Sequence, residues 1–336
     1  VNHTAAQRWW RTLADDITVE EAQAGLDRFA QVRGDTRLRA TTDGRSSVAV
    51  VADTHKHAKL SFTSYKLVPH VAILDPALTS SLPPKLTATT GMDALTHAVE
   101  AHTSIQKNPV SDAFAAKAVE LIAANLPTAC RNGADTEART SLALASLMAG
   151  AAFSNAMVGI VHAIGHSLGG LCRIPHGQAM MMLLPHCVRF NLYHGVHAGL
   201  YGELLSHLAP ARAAELGPQA MPAERDLAFC DALFAMNEHC HEQYGVPLKL
   251  SELGVAHDQL PAVARQARYD GAAPAYAASA PITVTGCANS GGLTPHAQTA
   301  PDASQLDARQ VVRRSGLSVT QAWPQKDWSP LRWMRI

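Results

Sequence analysis

Asp93 and His97 stand four residues apart in GMDALTHAVEA, and His162 and His166 stand four apart in VHAIGH. An i, i+4 spacing puts both side chains of a pair on one helix face, about 5–6 Å apart at Cβ, from where two ligands can converge on one ion. His176 follows in IPHG, where Pro175 and Gly177 mark a turn from which a further ligand can close a site. Neutral imidazoles and a carboxylate suit Zn²⁺ or Fe²⁺. A single Asp-x-x-x-His on a helix is more often a surface pair or an intrahelical hydrogen bond. A lone histidine in a core helix is more often one satisfied by the core, and spacing alone leaves these readings open.

The neighbourhoods weigh against a surface pair. Met92, Ala94, Leu95, Ala98 and Val99 surround Asp93 and His97, and no Asp, Glu, Lys or Arg occurs between Arg139 and Arg173. An unpaired polar group buried in such a run costs about 1–3 kcal/mol, so His162 and His166, with His176 just beyond it, must each find a partner. One divalent cation would satisfy several of them together. Glu100 lies three residues beyond His97 and offers an acceptor for its ring N–H, although a solvated helix-face carboxylate is the commoner case. His102, His186, His194 and His197 have no such spacing partner and read as surface or core-satisfied residues. SLGG at 167–170 follows no strand and is not read as a phosphate-cradling turn.

The elements that must position these groups are mainly helical. After Pro83 and Pro84 the apolar pattern has helical period, predicting helices over 85–105, 110–126, 135–152, 157–170, 177–192, 196–216 and 225–244, with no strand needed between 85 and 270. Upstream, residues 1–40 read as polar helix, and SSVAVVAD (46–53) and HVAILDP (70–76) read as strands, too few for a doubly wound sheet. Beyond about Ala272 the chain is rich in Ala, Pro, Ser, Thr and Gly without sustained period, and reads as poorly ordered.

Composition narrows the partners. The 336 residues hold 28 Lys plus Arg and 28 Asp plus Glu, so no basic excess points to nucleic acid or an anionic membrane. Hydrophobic residues make up 47% and charged ones 17%, which suits a compact, well-buried globule. Six cysteines without a C-x-x-C pair read as reduced thiols in a cytoplasmic protein. The charge-free run from Thr140 to Cys172 exceeds the roughly 20 residues of a membrane span. Its serines, Asn155 and histidines, without flanking aromatics, favour a helix buried in a large helical domain. The first residues lack a signal-type apolar core, and a start at Val leads us to expect an upstream portion.

The stretch LDPALTSSLPPKLTATTGMDALTHAVEAHTS, followed by FSNAMVGIVHAIGHSLGGLCRIPHGQAMMMLLPHCVRFN, resembles the iron-containing (group III) alcohol dehydrogenase family, from about Lys56 to ARYDGA near Ala272. The resemblance implies a mainly α protein. An all-helical metal-binding domain of the dehydroquinate synthase-like C-terminal kind would span 81–274. A short remnant of an α/β nucleotide-binding domain would precede it over 1–80, and an irregular tail would follow over 275–336. It implies four metal ligands, Asp93, His97, His162 and His176, holding Fe²⁺ or Zn²⁺. His166 would lie near the nicotinamide as a catalytic proton relay. Lys59 in KHAKLSF, and Thr41 and Thr42 in ATTDGRSSVAVVAD, match cofactor-binding positions for NAD or NADP.

Two departures qualify the match. No Gly-Gly-Gly-Ser stretch of the kind that wraps the pyrophosphate occurs in 1–80, and the Thr-Thr-x-Gly-Thr-Gly-Ser-Glu segment is shortened. The implied activity is hydride transfer between a small alcohol or aldehyde and NAD(P), with the cofactor site incomplete. The alternatives are a non-catalytic metal-binding helical module from a truncated gene, or another reaction on this scaffold as in dehydroquinate synthases and glycerol dehydrogenases. The Asp/His/His/His set favours the alcohol dehydrogenase branch. Family habit adds a homodimer, with no nucleic-acid or membrane partner.

Overall fold

The computed structural model describes residues 48–53 and 58–63 as backbone, together with 72 and 74–272. Thr41, Thr42, the polar segment over 1–40 and the tail over 275–336 lie outside the described residues.

β1 (Val48–Asp53) and β2 (Ala58–Thr63) pair antiparallel, Val48 opposite Thr63 and Asp53 opposite Ala58. β1 falls in the first expected strand. β2 was not expected, although Ala58, Leu60 and Phe62 alternate with Lys59, Ser61 and Thr63 in the period-two pattern of a strand. The strand expected over 70–76 does not form in its described part. Leu74 and Asp75 carry no regular structure, and Pro76–Thr79 is a single 3₁₀ turn. The Asp75 side chain accepts the Ala77 N–H at 2.9 Å, turning the Asp-Pro step into a turn opening.

The helices begin where the chain supplies caps. α1 (Pro84–Thr103) opens on a proline, whose missing N–H costs nothing in a first turn. α2 (Pro109–Arg131) is capped by Asn108, whose Oδ1 accepts the Val110 and Ser111 N–H groups while Ser111 Oγ accepts the Asn108 N–H. Asp135 caps α3 (Thr136–Ala156) through the Ala138 N–H. α3 stops where Met157 adopts φ 66°, and α4 (Ile160–Leu171) leaves at 104° to it. α5 (His176–Tyr193) follows.

The single helix expected over 196–216 is three short ones: α6 (Leu200–Glu203), α7 (Leu205–Leu208) and α8 (Pro210–Leu216). The apolar period runs on through this stretch. Gly195, His197 and Gly199, at φ 67°, 60° and 88°, take the left-handed conformation and delay the helix start to Leu200, and non-helical backbone at Ala209, ahead of Pro210, separates α7 from α8. α9 (Pro222–Tyr244) and α10 (Leu260–Ala267) complete the described helices.

α1, α2 and α3 pack against one another, and α1 also meets α5, which lies against α4 and α9, while α10 covers α4. Alanines dominate the first contact: Ala98, Ala101, Ala115, Ala118, Ala145, Ala149 and Ala152 are buried, and small side chains let helix axes approach closely. Larger residues fill the second layer, Leu168 from α4 and Met180 to Leu184 from α5. The buried Arg139 guanidinium is satisfied by Thr87 Oγ1 (2.9 Å) and the Gly133 and Leu82 carbonyls (3.1 and 3.3 Å), pinning α3 to the start of α1.

Among the described residues no single helix is long and apolar enough to cross a membrane. The charge-free run covers α3 from Thr140 onward and all of α4, and α4 is buried from Ile160 through Leu168.

Candidate metal centre

Three helices meet where α1 passes the starts of α4 and α5. Asp93 and His97 come from one face of α1, His162 from α4, and His176 is the first residue of α5. Sequence reading expected His176 on a turn. Pro175 caps the helix instead, so the ring projects from its first turn.

The closeness of α5 to α1 depends on Gly177. A Cβ there would stand 2.7 Å from the Thr89 carbonyl oxygen and 3.0 Å from its carbon, a collision with backbone that cannot swing away.

One ligand-type atom from each of Asp93, His97, His162 and His176 lies within 4.8 Å of the others. Asp93 Oδ1 is 3.5 Å from His176 Nε2 and 3.9 Å from His162 Nε2. The His97 and His162 ring centroids are 4.5 Å apart, and those of His162 and His176 5.4 Å. Asp93 and His162 are buried, whereas His97 and His176 keep part of their surface exposed, so the cluster opens on their side. Phe153 of α3 stacks on His97 at 4.6 Å and walls off the opposite flank of that ring.

This donor set fits a divalent ion such as Fe²⁺ or Zn²⁺. Two ligands at about 2.1 Å across a tetrahedral angle stand about 3.4 Å apart, close to the 3.5 Å between His176 Nε2 and Asp93 Oδ1. Desolvation, then the neighbouring His162 and His166, hold His97 well below the ordinary histidine range, so its ring is the neutral, ligating form.

Two carboxylates flank the cluster. Glu100 is buried at 6% exposure, which overturns the solvated-face reading. It faces His162 rather than His97: Nδ1 of His162 donates to Oε2 at 2.5 Å, and the Val161 N–H donates to Oε1 at 2.7 Å. Burial raises the Glu100 carboxyl to about 7, against the backbone N–H groups of Gly159, Val161 and His162, which lower it.

Asp270, just after α10, was missed altogether. His166 Nδ1 donates to it at 3.1–3.2 Å, and the His166 ring stacks on His176 with centroids 5.5 Å apart. His102 is satisfied in the core as expected, by Glu203 at 3.0 Å and Asp112 at 3.5 Å. Lys59 falls on β2 opposite Ala52, and β2 lies beside α4.

Fold and cluster together define a helical domain that gathers metal-type ligands from three helices. The sequence matches the model for the Fe-containing alcohol dehydrogenase family, C-terminal, over residues 87–283, and the chain belongs to that family. It is 41% identical over 240 residues to the 1,3-propanediol dehydrogenase of Klebsiella pneumoniae, covering 69% of this chain and 58% of that protein. It is 37% identical over 240 residues to the NAD-dependent methanol dehydrogenase of Bacillus methanolicus, covering 70% and 59%. The crystal structure of a 1,3-propanediol oxidoreductase superimposes with a TM-score of 0.63 at 38% identity, over 70% of this chain and 60% of that one. The chain thus spans a little under three fifths of the length of these curated relatives.

Proposed function

We propose that this chain carries the metal-holding part of an oxidoreductase that moves a hydride between a small alcohol or aldehyde and NAD or NADP. The observation that carries this reading is the convergence of Asp93, His97, His162 and His176 within 4.8 Å, in a chain 41% and 37% identical to two named alcohol dehydrogenases. These four residues would hold Fe²⁺ or Zn²⁺, and Thr41, Thr42 and Lys59 would contact the nucleotide. Bound there, a divalent ion supplies Lewis acidity that lowers an alcohol's pKa or polarises an aldehyde carbonyl.

The chain's own residues set the rest. One carboxylate and three neutral imidazoles leave a divalent site with net charge +1, suited to an anionic oxygen. Substrate enters on the side of His97 and His176, because Asp93 and His162 are closed off. On this reading His166 Nδ1 donates a hydrogen bond to the Asp270 carboxylate, which leaves Nε2 as the nitrogen turned to the substrate. That nitrogen, beside His176, accepts the alcohol proton as the hydride leaves carbon and returns it in reduction. The substrate class follows from the relatives' names, a diol and methanol.

Metal analysis of purified protein tests the reading first. About one Fe or Zn per chain is expected, and none in His162→Ala or His176→Ala. NADH formation from propane-1,3-diol or methanol tests the second step, with His166→Ala keeping its metal while turnover falls about 10²-fold or more. Metal without any nicotinamide binding would instead support the non-catalytic module, and no metal would defeat both.

A further inference from the structure

Asp93, His97 and Glu100 lie on one face of α1, at i, i+4 and i+7. The first two point ligand atoms into the cluster, and Glu100 stands behind it with its two oxygens on different tasks. Oε1 accepts the Val161 N–H at 2.7 Å. Val161 is the second residue of α4, whose capping residue is Gly159 and offers no side-chain oxygen. A carboxylate from a different helix therefore does the capping. Gly159 leaves it room, since a Cβ there would stand 3.0 Å from Oε1.

Oε2 accepts the Nδ1 proton of His162 at 2.5 Å. With the proton held at Nδ1, the lone pair is at Nε2, the nitrogen on the Asp93 side of the ring. The remaining charge is complementary too. A divalent ion with Asp93 would leave +1 in a buried site, and the Glu100 carboxylate balances it.

We propose that Glu100 is a positioning residue of the metal centre, fixing His162 in its Nε2-ligating tautomer while anchoring the first turn of α4. The proposal rests on the metal reading above. A simple helix cap would contribute to stability alone, whereas a residue acting through His162 sets metal affinity and the ligand field.

Co²⁺ titrated into metal-stripped full-length protein separates the two, read by chelator competition and by its visible ligand-field bands. Glu100→Gln keeps an oxygen for the Val161 N–H and removes the charge. It is expected to bind Co²⁺ about 10–100-fold more weakly, with shifted bands, at a melting temperature near the parent's. Asp226→Asn is the control. Asp226 accepts the Gly199 and Gly202 N–H groups, each at 2.6 Å, and has no ligand in reach of its contacts. That variant is expected to lose melting temperature and to keep both Co²⁺ affinity and spectrum. Loss of binding in His162→Ala with parental affinity and bands in Glu100→Gln overturns the role of Glu100 alone. A parent protein that takes up no Co²⁺ overturns the metal reading and this proposal with it.

Discussion

His186 lies on α5 with its Nδ1 accepting from the Arg189 guanidinium at 3.1 Å and its ring edge-on to Phe234 at 5.1 Å. The same guanidinium stacks on Phe234, 4.7 Å from the ring centre. A protonated imidazole could not accept that bond, and burial with the Arg189 charge lowers the group from 6.5 to about 3. The sign follows directly: the unfolded chain binds this proton from about pH 6.5 downward and the folded chain does not. Stability from neutral His186 is therefore full above pH 6.5 and declines as pH falls towards about 3. Thermal melts should show the parent losing melting temperature faster below pH 6.5 than His186→Gln, and parallel curves would contradict the assignment. At this scale the pairing of Asp93 with His97 was legible from its i, i+4 spacing, whereas the choice of His162 and His176 over His166 came from the family resemblance and not from spacing. Glu100 was half legible. Its residue type and place on the face were visible, but the choice between His97 and His162 is made by the arrival of α4, which no spacing on α1 encodes. Asp270 gave no local signal at all, standing 104 residues from His166.

At the scale of the element, α5 shows how one helix mends another. Pro185 has no N–H, so the Met181 carbonyl loses its helical donor. Asn237 of α9 supplies one, its Nδ2 donating to Met181 at 2.7 Å. Asn237→Ala leaves that buried carbonyl unsatisfied and is expected to cost about 1–3 kcal/mol, read as a lower midpoint in urea. Adding Pro185→Ala restores the N–H and should recover part of the loss, and strict additivity would show the bond to be idle. The division of 196–216 into α6, α7 and α8 was hidden for a related reason. Apolar period reports which residues face a core, while the late start after Gly199 and the break at Ala209 depend on backbone conformations that the period does not record. β2 was missed although it is as long as β1 and its six residues alternate, because it lacks the run of valines that marked β1.

Across the whole molecule the candidate ligands are shared among α1, α4 and α5, with α5 packed against both of the others. A bound ion would tie these interfaces together, and a ligand that binds the folded state alone stabilises it by mass action. The effect reaches about 4 kcal/mol when free metal exceeds Kd about 1,000-fold. Stripping with a chelator should therefore lower the melting temperature, and Fe²⁺ or Zn²⁺ should restore it. His162→Ala should melt at one temperature with or without metal. The mainly helical class was readable from low charge, apolar period and proline punctuation. The 104° turn between α3 and α4 was not, because a continuous apolar run looks the same whether straight or folded back.

Asp270 joins His166 only after α10, whereas all four candidate ligands have been laid down once the chain reaches His176. During synthesis the two halves of the centre would therefore mature at different times. A nascent chain exposing α1 to α5 already holds everything needed to grip an ion. His166, the proposed proton relay, waits 104 residues for its carboxylate. Inactive while unfinished, such a chain would be loaded before it could turn over.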